Sequence, residues 1–452
     1  MPLHAHDCYS VLDGISKPSG LARRCKELGI SACAITNHGC ISSADEHIEA
    51  CKKHNVKPIL GIEAYISGEA NLAEKRDRNL THFILLAKNI QGWRQLIRLV
   101  SESNKPEHFY YKPRLNIDLL TKFLDGNLVG FSGHPGSYLF NEFFLPNTTT
   151  DAFRATSEEE VKRYIRTDWV EHVSSVALDL QQKFGKDNFY LEIQLIDAAN
   201  MPAAALVTKG LRYISRQTGV PCVATDDSHY VLKEDASDQR VVLCTNMNTT
   251  LREIHQKIIN EEDVGLGNFF KYDHYYLHSY DEMRALGHTE EELTNTLKIA
   301  DMCEHYNIKQ KPKLPKFPVP NGSPSEEYLK DLCRKGWATL KPKLKKAMER
   351  KGVSQQVYVD RFNEEFNVLM DEGLADYFLI VEDVIRFARS RGQLTGVARG
   401  SSGGSLILYL LGVIKIDPIY YDLLFARFFN SARNVPDHVS FEESPFLKFI
   451  GV

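Results

Sequence analysis

The sequence has no C-x-x-C pair, no apolar run approaching a bilayer span, no internal repeat and no low-complexity tract. Each absence removes a class of protein. Its 9 cysteines are scattered singly, an odd set that reads as reduced thiols rather than a disulfide framework. The opening Met1-Pro2-Leu3-His4 carries no basic stretch followed by an apolar one, so no secretory signal is read there and a cytoplasmic location is expected. Without long apolar runs, no membrane partner is expected either. Net charge is −4, so any nucleic-acid contact must come from a local basic surface. What is present is ordinary for a globular chain: 452 residues, 43% hydrophobic and 25% charged, enough for two or three domains.

Against that background the His4-Ala5-His6 pair stands out. On an extended segment, alternation puts both imidazoles on one face, and two such imidazoles suit zinc, manganese or iron. The first 230 residues alternate short apolar runs with amphipathic stretches. Strands are expected at 32–36, 57–66, 82–87, 128–132, 189–195 and 221–225, with helices at 19–28 and 43–54, which implies a parallel sheet or an α/β barrel. Candidate ligands fall at strand starts and ends: His4, His6, Asp13, His38, Glu63, His82, His134, Asp227 and His229. Asp227-Ser228-His229 repeats the same-face pair. A single strand-end histidine is more often a hydrogen-bonded structural residue, and Asp13 before Gly14 also reads as a turn. The set as a whole can hold two or three metals about 3.5–4 Å apart, an arrangement that activates water and clamps a phosphoryl oxygen. His47, His54 and His108 fit no such pattern.

Beyond residue 245 the texture changes. Helices are expected at 281–286 and 290–306, followed by the proline-rich stretch 311–320. From Lys309 to Lys351 there are 13 Lys or Arg against 4 Asp or Glu, a net of +9. That run reads either as a phosphate-backbone surface or as a solvated helical face. Gly396–Leu406 holds a Gly/Ser cluster before an apolar helix expected at 406–411. Such a turn offers backbone and hydroxyl donors to a phosphate, or is a flexible loop.

These stretches together resemble the bacterial C-family replicative DNA polymerases, the DNA polymerase III alpha family. His4–Gly14, Ala34–Gly39, Lys57–Tyr65, Thr81–Lys88, Phe109–Arg114, Asn188–Glu192 and Ala224–Tyr230 resemble the family's PHP (polymerase and histidinol phosphatase) domain. Asp371–Val381, Gly396–Leu406 and Ile416–Asn430 resemble its palm. The resemblance implies a PHP-type distorted α/β barrel followed by a partial polymerase beta-like palm with a helical thumb insertion. The implied division is a PHP domain at 1–240, a linker and start of palm at 241–308, and a basic thumb-like region at 309–370. A palm segment follows at 371–437, then a divergent tail at 438–452.

The same resemblance implies that the nine residues above bind two or three Zn, Mn or Fe ions and act in 3′→5′ exonuclease chemistry. Asn37 stands where the family usually has Asp. Arg399, Gly400, Ser401 and Ser405 would hold the triphosphate of a dNTP. Asp437 matches the first catalytic acid for Mg²⁺, Val439 replaces the second, and the chain alone is expected not to extend a primer. Lys112 and Arg114 read either as substrate-backbone contacts or as surface residues. Implied partners are DNA, a dNTP, a second polymerase fragment completing the palm, and replisome proteins. Rival readings are a non-enzymatic scaffold half, a truncated remnant and, last, a small-molecule phosphatase of the PHP superfamily.

Overall fold

The computed structural model describes residues 1–260, 262, 264, 266–310, 314–320 and 322–430. The chain divides into two compact units, Met1–Lys309 and the remainder from Gln310. The first contains β1 (Ala32–Ile35), β2 (Lys57–Ile66), β3 (Thr81–Ala87), β4 (Arg114–Leu115), β5 (Leu128–Ser132), β6 (Phe189–Gln194) and β7 (Cys222–Thr225). Six of these match the expected strands to within a residue. The main helices of this unit are α1 (Pro18–Glu27), α2 (Ala44–His54), α3 (Ile90–Ser103), α4 (Trp169–Phe184), α5 (Pro202–Thr218) and α6 (Glu290–Met302). Proline suits the first turn of α1 and α5, where its missing N–H costs nothing.

The strands form one seven-stranded sheet in the order β1-β2-β3-β5-β6-β7, with β4 added beside β2. Of the two expected architectures, a parallel sheet or an α/β barrel, the curled sheet fits the distorted barrel and is parallel except at one strand. β3 runs antiparallel to both β2 and β5; the loop 67–80 that leads from β2 into β3 carries a single 3-10 turn and no α-helical crossover. The reversal has a use: the start of β3 lies at the sheet edge where the parallel strands end.

Alternation along the strands divides the core. Ile84, Leu86, Val129, Phe131, Tyr190 and Val223 point to one face and meet Leu3 and Ile299 in an apolar cluster. Their neighbours Phe83, Leu85, Phe189 and Leu191 point to the other face and pack with Leu96 of α3, Leu180 of α4 and Leu211 of α5.

The sheet's two ends are joined by the first residues of the chain. Ala34 donates its amide to the carbonyl of Pro2 at 2.9 Å, and Thr36 to that of Ala5 at 2.9 Å. On the opposite side, His6 donates to Ser228 at 2.8 Å and Ser228 to His4 at 3.3 Å. The extended segment 2–6 therefore fills the gap between β1 and the chain leaving β7. The Met1 ammonium donates to Thr296 Oγ1 of α6 at 2.9 Å, and Asn295 of α6 donates to the carbonyl of Cys222 at 2.7 Å. Helix α6 ends at Met302, short of the expected 306. Residues 241–308, expected as a linker and start of palm, fall within this first unit.

The second unit is helical: α7 (Ser325–Lys351), α8 (Gln355–Asp371), α9 (Ala375–Ser390) and the short α10 (Leu406–Leu410). Its core gathers Leu329, Tyr358, Leu369, Phe378, Leu379 and the apolar run of α10. Helix α7 carries most of the basic window on its exposed side, including Lys330, Lys335, Lys341, Lys343 and Lys345. At Gly336 the helix crosses α10 so closely that a Cβ would lie 1.8 Å from the Leu410 carbonyl oxygen. Among the described residues, no helix is long and apolar enough to cross a membrane.

Candidate metal centre

Above the apolar cluster the same inward face turns polar. On β2 the alternation that points Ile59 into the cluster points Glu63 into a group of imidazoles. Glu63 Oε2 lies 2.7 Å from His38 Nδ1, 3.1 Å from His6 Nε2 and 3.5 Å from His4 Nε2. Its Oε1 lies 2.9 Å from His82 Nδ1 and 3.1 Å from His134 Nε2. Asp227 Oδ1 lies 3.2 Å from His4 Nε2 and 3.4 Å from His6 Nε2. Asp13 reaches His38 Nε2 at 3.0 Å and His229 Nε2 at 3.7 Å, and the rings of His6 and His229 stack at 4.4 Å. All nine residues picked from the sequence thus meet in one cluster. His82 belongs because β3 is reversed, so its first residues lie among the ends of the other strands.

Four of the six imidazoles are aimed by a partner behind them. Glu192, inward-facing on β6, takes His4 Nδ1 at 2.8 Å, His134 Nδ1 at 2.5 Å and the Thr225 hydroxyl at 2.9 Å. Burial opposes its charge, but His134 and His4 hold its carboxyl at about 2. As an acceptor it fixes the proton on each Nδ1 and leaves each Nε2 facing the cluster. Ser10 Oγ donates to Asn37 Oδ1 at 2.8 Å, so it accepts from His6 Nδ1 at 2.8 Å. His229 Nδ1 donates to the Asp227 carbonyl at 2.9 Å, across a residue in left-handed backbone (φ 45°).

Asn37 is not a direct partner of any imidazole. Its Nδ2 donates to Asp7 Oδ1 at 2.7 Å and to Ser43 at 3.0 Å, and its Oδ1 accepts the Asp7 amide at 2.9 Å. The carboxylate of this pair stands on Asp7. Neither Glu192, Ser10 nor Asp7 was singled out from the sequence. A glutamate inside the apolar run Phe189–Ile193 was the available signal for the first.

The close contacts leave buried polar atoms without a directed hydrogen bond: His4 Nε2, His6 Nε2, His134 Nε2, His38 Nδ1, Glu63 Oε2, Asp13 Oδ1 and Asp227 Oδ1. Unpaired buried polar atoms are costly, and here they converge. Four subsets lie close enough to share an ion: His6/His38/His229, His4/His6/Asp227, His4/His134/Glu192 and His38/Glu63/His82. The electrostatics agree. Burial opposes protonation of His38, yet Glu63 and Asp13 raise it to about 10, and Glu192 and Glu63 raise His134 to about 9 against burial. Burial, with His38 and His229 nearby, lowers His6. Positive charge is thus wanted between the carboxylates, which divalent cations satisfy with nitrogen and oxygen ligands.

Two further candidates have other surroundings. Arg114 is fully buried, donating to Glu69 Oε2 at 2.6 Å and to the carbonyls of His108 and Leu72. It is neither a backbone contact nor a surface residue, because its guanidinium ties two loops together. Lys112 is exposed and donates to Tyr65 Oη at 3.2 Å, and the Tyr65 ring stacks on His38 at 5.8 Å.

In the second unit, Arg399, Gly400 and Ser401 are exposed, with Gly400 in left-handed backbone (φ 56°). Ser405 is buried and its hydroxyl donates to Glu365 at 2.9 Å. Glu365 also accepts the amides of Leu406 and Ile407, at 2.8 and 3.1 Å, and pairs with Arg361. A carboxylate of the chain itself thus occupies the start of α10, where the sequence reading placed a phosphate. Asp437, Val439 and the tail 438–452 lie outside the described residues.

Residues 2–195 match the model of the PHP domain, and residues 327–442 that of the bacterial DNA polymerase III alpha NTPase domain. The DNA polymerase III subunit alpha of Borreliella burgdorferi is 34% identical over 446 residues, which are 96% of this chain and 34% of that one. That of Helicobacter pylori J99 is 32% identical over 448 residues, 96% of this chain and 34% of that one. The chain spans about a third of the length of these curated relatives. Among solved structures, an amidohydrolase from Chromobacterium violaceum with bound sulfate and no metal has a TM-score of 0.32. It is 13% identical, and the match covers 50% of this chain and 87% of that one.

Proposed function

We propose, from the match of residues 2–195 to the PHP domain and of residues 327–442 to the bacterial DNA polymerase III alpha NTPase domain, that the chain is a divalent-metal-dependent phosphodiesterase that shortens DNA from its 3′ end. The observation that carries the reading is the convergence of partnerless nitrogen and oxygen atoms around Glu63 and Asp227. His4, His6, Asp13, His38, Glu63, His82, His134, Asp227 and His229 would hold two or three ions of zinc, manganese or iron. Bound there, such ions lower the pKa of water and stabilise charge on a phosphoryl oxygen. The chain's own residues do the rest. Glu63 offers one carboxylate oxygen to each half of the cluster, Glu192 and Ser10 keep Nε2 of His4, His134 and His6 inward, and the apolar floor excludes water from below.

Hydrolysis of a 5′-labelled single-stranded oligonucleotide in Mn²⁺ or Zn²⁺ tests this. A ladder of shortened labelled products, lost in a His4→Ala/His6→Ala double variant, is the expected result. No products from folded, metal-supplied protein would sink the reading in favour of a scaffold.

For the second unit we propose that Arg399, Gly400 and Ser401 contact the triphosphate of a dNTP, with Mg²⁺ and DNA, as part of a replicative polymerase. Their exposure beside a buried, internally capped helix favours these three over Ser405. Loss of fluorescent dNTP binding in Arg399→Ala is expected; unchanged binding removes the assignment.

A further inference from the structure

The rim of the metal centre carries an exposed aromatic and cationic cluster that no ligand role explains. The Tyr110 amide donates to the Lys112 carbonyl at 3.1 Å, closing a tight turn with Tyr111 at its apex. Tyr111 is in left-handed backbone (φ 60°) and 66% exposed, a strained setting for a large ring that gains little from burial. Yet the ring is held firmly. Arg78 lies over it at 4.3 Å and donates to Tyr111 Oη at 2.9 Å and Tyr110 Oη at 3.2 Å. Tyr110 meets Tyr111 edge-on at 4.7 Å, and the buried Arg114 supports Tyr110 from beneath at 5.4 Å. Even with Arg78 and Tyr110 against it, most of Tyr111 stays open to solvent.

The turn also stands beside the metal centre. Gly39, next to His38, has a left-handed backbone (φ 62°), and a Cβ there would lie 2.8 Å from Pro113 Cγ. Glycine thus lets Lys112–Pro113 press against the His38 side of the site. The Lys112 ammonium lies 5.1 Å over the Tyr65 ring, which contacts both His38 and His82.

We propose that Tyr111 is a stacking platform for an unpaired base near the 3′ end of a strand entering the metal centre, with Arg78 and Lys112 on its phosphates. An aromatic ring accepts any base, but only one freed from its duplex, so the platform selects single strands. The assignment rests on the phosphodiesterase reading only for where the strand leads. Tyr111, Arg78 and Lys112 are positioning residues, and Arg114 acts through Tyr110.

The test uses the whole chain and a trinucleotide with 3′-terminal 2-aminopurine, whose fluorescence is quenched on stacking. Without added metal, the parent and Tyr111→Phe should quench it and Tyr111→Ala should not. Equal quenching by Tyr111→Ala overturns the platform, whatever the chain hydrolyses. With Mn²⁺, Tyr111→Ala should raise KM for a single-stranded oligonucleotide about tenfold, leave kcat, and leave hydrolysis of bis(p-nitrophenyl) phosphate unchanged. Equal losses on both substrates would mean a damaged site and also overturn it. If no form hydrolyses anything, the exonuclease reading falls and the quenching alone decides the platform.

Discussion

Glu192 and His4 meet at 2.8 Å through Oε1 and Nδ1, while the other oxygen of the same carboxylate takes His134 at 2.5 Å. One acid therefore sets the tautomer of two neighbouring imidazoles, whose rings lie 4.9 Å apart. Glu192→Gln puts an amide NH₂ against one of those Nδ1–H groups, and that ring must flip or lose its bond. Metal affinity should fall about 10–100-fold with the fold retained, measured by calorimetric titration of Mn²⁺ or Zn²⁺ into metal-free protein. Unchanged affinity would mean that the ligands are oriented without it.

Asn37 cannot simply be exchanged for Asp. Its Nδ2 donates to Asp7 Oδ1 at 2.7 Å, so Asn37→Asp would set two carboxylates against each other in a buried site. The expected cost is about 1–3 kcal/mol at pH 7, largely recovered by adding Asp7→Asn. Urea denaturation of the two single variants and the double variant checks the coupling. Additive losses would refute it.

The Arg212–Glu292 pair supplies a pH-dependent term. Burial opposes the charge on Glu292, but hydrogen bonds from His288, Arg212 and the Thr289 amide lower its pKa to about 2. A carboxylate depressed on folding stabilises above its unfolded pKa, and that contribution fades as pH falls through the folded one. Glu292→Gln should therefore lose about 2 kcal/mol at pH 7, with its difference from the parent shrinking between about pH 4.5 and pH 2. A constant difference down to pH 2.5 would show that the carboxylate's charge is not what stabilises.

Gly336→Ala tests the second unit. The obstacle to a methyl is the Leu410 carbonyl oxygen at 1.8 Å, main chain that cannot rotate away, so α7 and α10 must separate. A loss of about 1–3 kcal/mol by urea denaturation is expected, with metal uptake by the first unit unchanged.

What the sequence disclosed follows the range of the interactions. Strand spans and the nine candidate ligands were legible because alternation and strand-end position are local. The reversal of β3 was not, since a seven-residue apolar run reads the same in either direction. The burial of Arg114 depends on loops at 69–77 and 108–115 closing around it, and the capping of α10 on Glu365, forty residues away on α8. Glu192 was legible in part. A lone acid in a buried strand needs a counter-charge, but only the fold names His4 and His134 as the partners.

The seating of residues 2–6 between β1 and the chain leaving β7 orders the molecule's assembly in time. His4 and His6 are made long before Ser228, which lies just beyond β7 and against which they sit. Contacts so distant in sequence form late. The cluster can therefore form only after the chain just beyond β7 has been made and has closed against residues 4–6.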